Sequence, residues 1–336
     1  MRRARRTRTW SGLFSLLCIG LLGTTLGCSD LYWVCDPPDD ARLDRLPQKL
    51  SQTGLFSDLE GEQLAPGVSA YRPSYALWSD GAAKRRWLWL PEGERIDSSD
   101  PDDWSFPVGT KFWKEFTRDG VRVETRLLQR WGPSQADWSG VAYVWNDDQS
   151  DAVLATYGAM NARGTAHDVP AASECMACHG GTKSIVLGFS AIQLAHIPEP
   201  DELDLSALQD ADLLSDPITP APEIPGTAVE RDALGYLHAN CGHCHNQERP
   251  ARAGARCFDP DNELDFRLRV GSLGSVTDTP TRKTIEEVVK PGAPSDSKLI
   301  HLMEGRGMFR QMPPLATEKV DSEAVEMLRQ FVKGLR

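Results

Sequence analysis

Two pentads in the 336-residue chain each place two thiols and an imidazole within five positions: Cys175-Met-Ala-Cys178-His179 and Cys241-Gly-His-Cys244-His245. Covalent attachment of a haem demands that order of residue types. The two thiols add to the vinyl groups of the macrocycle, and the adjacent His becomes an axial ligand of the iron. With eight Cys and seven His in the chain, chance supplies about 0.004 such pentads, so two together point to two c-type haems, with His179 and His245 on the irons. A thioredoxin-like dithiol needs no trailing His, and a zinc site built from Cys175, Cys178, Cys241 and Cys244 would leave both His unexplained.

An iron with one axial His takes a sixth ligand or stays open, and that choice separates electron transfer from catalysis. For the second haem the candidate is Met312, in Gln311-Met-Pro-Pro-Leu315, where two prolines stiffen the loop that presents the thioether. Met303 and Met308 stand behind it. No Met occurs between His179 and the second motif. His167 is therefore the first candidate for the first iron, followed by Met160, His196 and His238, with an open iron as the remaining choice. His243, inside the second motif, is expected to point outward to solvent. Asp80, Glu115 and Asp119 are available acids and bases, but nothing in their spacing lifts them above surface charges.

The other cysteines bear on compartment. Residues 1–28 read as a signal peptide, with a basic start, MRRARRTRTW, and a short apolar run from Ser11 to Gly27. Leu26-Gly-Cys28-Ser29 resembles a lipobox, which makes Cys28 a candidate for lipidation and for a lipid anchor at the membrane. Export to the periplasm, or to the outer membrane as a lipoprotein, follows. In such an oxidising compartment Cys35 and Cys257 are left as a candidate disulfide pair. The formal charge is −11, and loss of five Arg with the leader makes it more negative still. That argues against nucleic acid and for basic or neutral redox partner proteins.

The elements that must hold these groups follow from patterning. Eight of ten Trp lie between residues 78 and 145, whereas all seven His lie at or beyond residue 167. Val121, Val123, Thr125 and Leu127 alternate with Arg122, Glu124 and Arg126, the period of a half-buried strand. With Lys84–Leu90, Lys111–Phe116 and a hairpin at Val141–Ala155, this predicts an antiparallel β domain over 40–160. A first haem-binding segment follows at 161–200. Residues 201–227, rich in Pro and acid, read as a linker. Residues 228–336 place a helix before the second motif, then the Met-Pro loop, then a terminal amphipathic helix capped by Asp321 or Ser322. The expected fold class is α+β and multidomain: a β-rich, Trp-rich N-terminal domain followed by a mainly α-helical dihaem region.

The order of elements in 228–336 is similar to a class I cytochrome c domain. Over about residues 70–335 the chain resembles a family of secreted bacterial dihaem c-type cytochromes of uncharacterised role. The phrases that carry it are Leu77-Trp-Ser-Asp-Gly81, Lys84-Arg-Arg-Trp87, Phe106-Pro-Val-Gly-Thr-Lys-Phe-Trp113, Tyr143-Val-Trp-Asn146, the first pentad, the stretch from Leu187-Gly-Phe189 to Leu194, Leu237-His-Ala-Asn-Cys-Gly-His-Cys-His-Asn246 and Met312-Pro-Pro-Leu315. The resemblance implies haem at both motifs and an exported location, and supplies no reaction. The function expected is electron transfer rather than enzymatic turnover. Two alternatives stand beside it: a dihaem peroxidase or oxidase with an open first haem, and a β-domain binding module with a cytochrome as its electron outlet.

Overall fold

The computed structural model describes residues 40–249, 263–307, 310–314 and 317–336, all within one compact unit that runs from Trp33 to Arg336. The proposed leader, Cys28, Cys35, Cys257 and Met308 lie outside the described residues.

In chain order the strands are β1 (Phe56–Asp58), β2 (Gln63–Leu64), β3 (Val68–Tyr71), β4 (Ala83–Trp89), β5 (Lys111–Arg118), β6 (Val121–Arg130), β7 (Trp138–Trp145), β8 (Ala152–Leu154) and β9 (Glu202–Leu203). The α-helices are α1 (Asp40–Leu43), α2 (Cys175–His179), α3 (Ala191–Leu194), α4 (Leu205–Asp210), α5 (Ala228–Asn240), α6 (Pro280–Thr284), α7 (Lys298–Glu304) and α8 (Ser322–Gly334). Seven strands form one mixed sheet in the order β8-β7-β6-β5-β4-β3-β9. The meander from β3 to β8 is antiparallel throughout, and β9 joins its edge in parallel to β3.

Each face of the sheet has its own cover. Trp87, Trp113, Leu127, Val141, Tyr143 and Trp145 pack on one face against Leu43, Leu46, Leu50 and Leu55 from the N-terminal segment. On the other face Leu88, Phe112, Leu128 and Trp138 meet Trp104, Phe106 and Phe189. Phe189 stands edge-on to Tyr71, Phe112 and Phe106, with centroids 4.8, 5.4 and 5.9 Å away. Each ring buried this fully contributes roughly 1.5–3 kcal/mol, and edge-to-face pairs add to that. The stretch from Leu187 to Leu194 is thus the cover of the sheet and seats the segment that carries the first CxxCH motif on it.

Two expectations change. Period-two alternation in β6 is present, but the strand is not half-buried: its charged face is covered too, and Glu124 is fully buried. Nor is 201–227 a free linker. Its Leu203 packs against the sheet core, and Leu205, Leu208, Leu214 and Ile218 belong to it. Pro and acidic residues mark it as irregular, while its spaced leucines provide apolar surface that only tertiary packing reveals.

The C-terminal region behaves as the sequence suggests. Thr227 caps α5 in a reciprocal arrangement with Glu230, and Asp321 caps α8 through the Ala324 N–H. Ala233 and Leu237 of α5 share a core with Val325, Leu328, Phe331 and Val332 of α8. Helix α5 ends at Asn240, one residue before the second motif.

Candidate haem centre

The first motif is itself a helical turn, α2, laid on the charged face of the sheet. Gly140 of β7 makes this possible, because a Cβ there would sit 2.9 Å from Cys175 Cβ and 3.0 Å from its Sγ. His179 donates from Nδ1 to the Ile185 carbonyl at 2.7 Å. That bond fixes ring orientation and tautomer and leaves the Nε2 lone pair as the coordinating group. Burial, with Lys114 and Arg126 adding to it, pushes the His179 imidazole down to about 3, so the ring stays neutral, as an iron ligand must be.

The second motif follows α5 as a tight turn. The Cys244 and His245 amides donate to the Cys241 carbonyl, and the Phe266 amide donates to that of His245. The His245 ring meets Phe266 edge-on at 5.8 Å. All four motif cysteines are free thiols. Burial drives Cys175, Cys241 and Cys244 up to about 12 and raises Cys178 as well. Neutral thiols of this kind are poor thiolate ligands and poor nucleophiles. They do not form a cage either: among the described residues no three His, Cys, Asp or Glu side chains converge to hold a metal ion. An imidazole beside two thiols is the donor set that thioether-linked haem requires; both motifs carry it, and in the first the ring is held by a backbone carbonyl.

The two motifs, 66 residues apart in sequence, lie close together, joined through Gly181, two residues past the first. A Cβ on Gly181 would lie 1.8 Å from the His243 carbonyl oxygen. Asn246, directly after the second motif, donates to the Gly181 carbonyl at 3.1 Å and to the Gly242 carbonyl at 2.9 Å. Asn240, directly before it, accepts from the Trp78 amide at 2.6 Å and donates to the Ala76 carbonyl at 3.2 Å. The two Asn thus bracket the second motif and bind it to the first motif and to the segment before β4. Motif reasoning missed both, although each flanks the pentad in sequence.

The candidate sixth ligands fare differently. Met312 is half-buried on the loop between α7 and α8, and its amide donates to the Leu302 carbonyl. Asp80 anchors the far side of that loop: its carboxylate accepts from the Glu318 and Lys319 amides at 2.9–3.0 Å, while Trp78 Nε1 donates to the Lys319 carbonyl. Asp80 is thus a clamp. Met303 is a core residue of α7. His167 is buried with Nε2 held by Glu124 at 2.7 Å. His238 accepts the Leu268 N–H on Nδ1, so its neutral ring carries its proton on Nε2. His196 is half-buried, with Nδ1 beside Ser74 Oγ, and Met160 is exposed. His243, expected outside, is buried: its Nδ1 has no partner, and burial with nearby His245 lowers it to about 4. Glu115 is buried and paired with Arg85, and Asp119 is exposed beside Arg118.

Around the first motif the sheet is densely charged. Arg86, Lys114 and Arg126 stand directly opposite one another on β4, β5 and β6. Arg126 binds Glu124 in a bidentate pair, at 2.6 and 2.9 Å.

These features describe a mixed sheet with helices that carries two adjoining thiol–thiol–imidazole sites. No protein-family model, no curated protein and no solved structure matches the chain.

Proposed function

We propose that the protein is an exported dihaem c-type cytochrome that passes single electrons between partner proteins, with haem attached at Cys175 and Cys178 and at Cys241 and Cys244. The observation that carries this reading is the adjacency of two complete CxxCH sites, with Gly181 just past the first pentad against His243 of the second, and with the first His already oriented by a backbone carbonyl. Haem attached there supplies a one-electron iron couple. The chain's share is to hold His179 neutral with Nδ1 engaged, to shield both half-buried motifs from water in part, and to keep them joined through Asn246. Met312 remains the proposed second ligand of the second site. Packing of α5 on α8, with the Met312 loop between α7 and α8, supports a class I cytochrome c-like arrangement for 228–336.

Export and a lipid anchor at Cys28 belong to the same proposal. Among the described residues no helix is long and apolar enough to cross a membrane. The strongly negative charge favours a basic redox partner.

A dihaem peroxidase is the second reading, favoured by one observation: His238 accepts the Leu268 N–H on Nδ1 and so carries its proton on Nε2, which leaves this candidate no lone pair for the first iron. The binding-module reading gains no such support, since none of the eight Trp between 78 and 145 is exposed.

Intact mass and low-temperature EPR of the mature protein, with and without cyanide, test these together. Two added haem masses and two low-spin, cyanide-resistant irons are the expected result. A high-spin signal converted by cyanide selects the peroxidase reading, and the absence of haem mass overturns both.

A further inference from the structure

The charged face of the sheet holds an imbalance that none of the described residues corrects. Like charges directly opposite on neighbouring strands destabilise a sheet, yet Arg86, Lys114 and Arg126 form such a row beside the first motif. Arg126 is answered by Glu124. Lys84, two residues before Arg86, donates to the Leu77 carbonyl. Arg86 is only 5% exposed, and among the described residues it has neither a hydrogen bond nor an ion pair. Lys114 is half-buried and, among the described residues, likewise has no side-chain hydrogen bond or ion pair, its ammonium meeting the Phe116 ring at 5.7 Å.

Both side chains line a cavity of about 60 Å3 between the sheet, the 182–193 segment and the second motif. Its other polar walls are mostly donors. His238, protonated on Nε2 because Nδ1 accepts the Leu268 N–H, lines it, as do the hydroxyls of Thr182, Ser184 and Ser190. Arg267 also reaches the cavity, but Asp103 and Glu248 occupy it at 2.8 and 3.3 Å. Asp102 is the one carboxylate in the wall; it accepts the Val270 amide, and the Arg267 guanidinium donates to its backbone carbonyl.

We propose that Arg86 and Lys114, with the Nε2–H of His238, form a buried anion site between the two motifs that takes a carboxylate, that of a haem propionate. This rests on the haem reading for the source of the carboxylate but not for the site itself. A small free oxyanion would satisfy the same donors. Burial and the neighbouring Arg86 and Arg126 push the Lys114 ammonium well below its usual range, and a bound carboxylate restores its charged form. The small volume suits a single carboxylate group and not a macrocycle, so the porphyrin ring itself must lie outside the cavity.

The test uses the mature protein and the variants Arg86→Met, Lys114→Met and Arg86→Lys. Intact mass first reports whether haem is attached, which judges the proposed function alone. With haem attached, each Met variant is expected to lower the thermal midpoint by roughly 2–4 °C or more. It should also lower the midpoint potential of one haem, because a lost cation favours the ferric state, and Arg86→Lys should recover most of both. If inorganic phosphate or acetate instead raises the wild-type thermal midpoint and the Met variants abolish that response, with or without haem mass, the site stands and its ligand is a free anion. Met variants as stable as the wild type or more so, with potential unchanged and no response to either anion, overturn the proposal. That is the outcome for cations that bind nothing, because apolar replacements relieve their burial.

Discussion

At the scale of single residues, Glu124 is the most exacting position outside the motifs. Fully buried, it joins Arg126 of β6 to His167, and so ties the sheet to the segment that leads into α2. Burial alone would raise its carboxyl, yet Arg126 and His167 outweigh burial and hold it below the ordinary Glu range. Its contribution is therefore present at neutral pH and lost as pH falls through the lowered folded value. Glu124→Gln leaves half-buried Arg126 without its counter-charge and should cost about 1–3 kcal/mol, measured by urea unfolding at pH 7. His238 gives a second acid signature. Burial, then Arg267 and His243, depress it to about 3. Folding that keeps it neutral is favoured above its unfolded value near 6.5, and the benefit falls as pH drops from there toward 3. His238→Asn keeps an acceptor for the Leu268 N–H without the titration. Its thermal midpoint should decline less steeply than that of the wild type between those pH values.

At the scale of elements, two contacts decide how the haem segments sit. Helix α2 reaches the sheet only because β7 offers a glycine under Cys175. Gly140→Ala should push α2 off the sheet at a cost of roughly 1–3 kcal/mol, and lower haem occupancy at the first motif, read as a single-haem species in the intact mass, while the second motif stays loaded. The loop between α7 and α8 is held by Asp80, far away in sequence and in the turn before β4. Asp80→Ala should cost about 1–3 kcal/mol and expose the Glu318 and Lys319 amides, measured as faster hydrogen exchange there than in α8. The Leu-Trp-Ser-Asp-Gly phrase thus has a physical role: Trp78 and Asp80 fasten the β region to both α5 and the Met312 loop.

At the scale of the whole molecule, the β region and the dihaem region are interlocked rather than strung together. Asn240, Asp80 and the buried Arg267–Asp103 pair all cross between them. Calorimetry of the mature protein should therefore show one transition, with equal calorimetric and van't Hoff enthalpies. Residues 228–336 expressed alone should unfold at a lower temperature than they do in the intact chain. Two separate transitions would show that the two regions are independent.

Much of this was legible from sequence, for reasons that differ by feature. The pentads announce themselves because macrocycle chemistry dictates residue type and spacing over five positions, and no tertiary context is needed to read them. Strands β4 to β8 and helices α5 and α8 follow from local periodicity and capping, which act over one or two turns. By contrast, the burial of His243, the clamp role of Asp80 and the packing of 201–227 depend on groups far apart in sequence, and local pattern carries no trace of such partners. The nearness of the two motifs is the clearest case. Each pentad is by itself the reason to expect a haem site, whereas the closeness of the two is decided by Gly181, Asn246 and the sheet beneath. The same holds for the charged row on β4, β5 and β6. Alternation places Arg86, Lys114 and Arg126 on one face, but only the covering 156–215 segment turns that face from a solvated surface into a buried one that needs an anion.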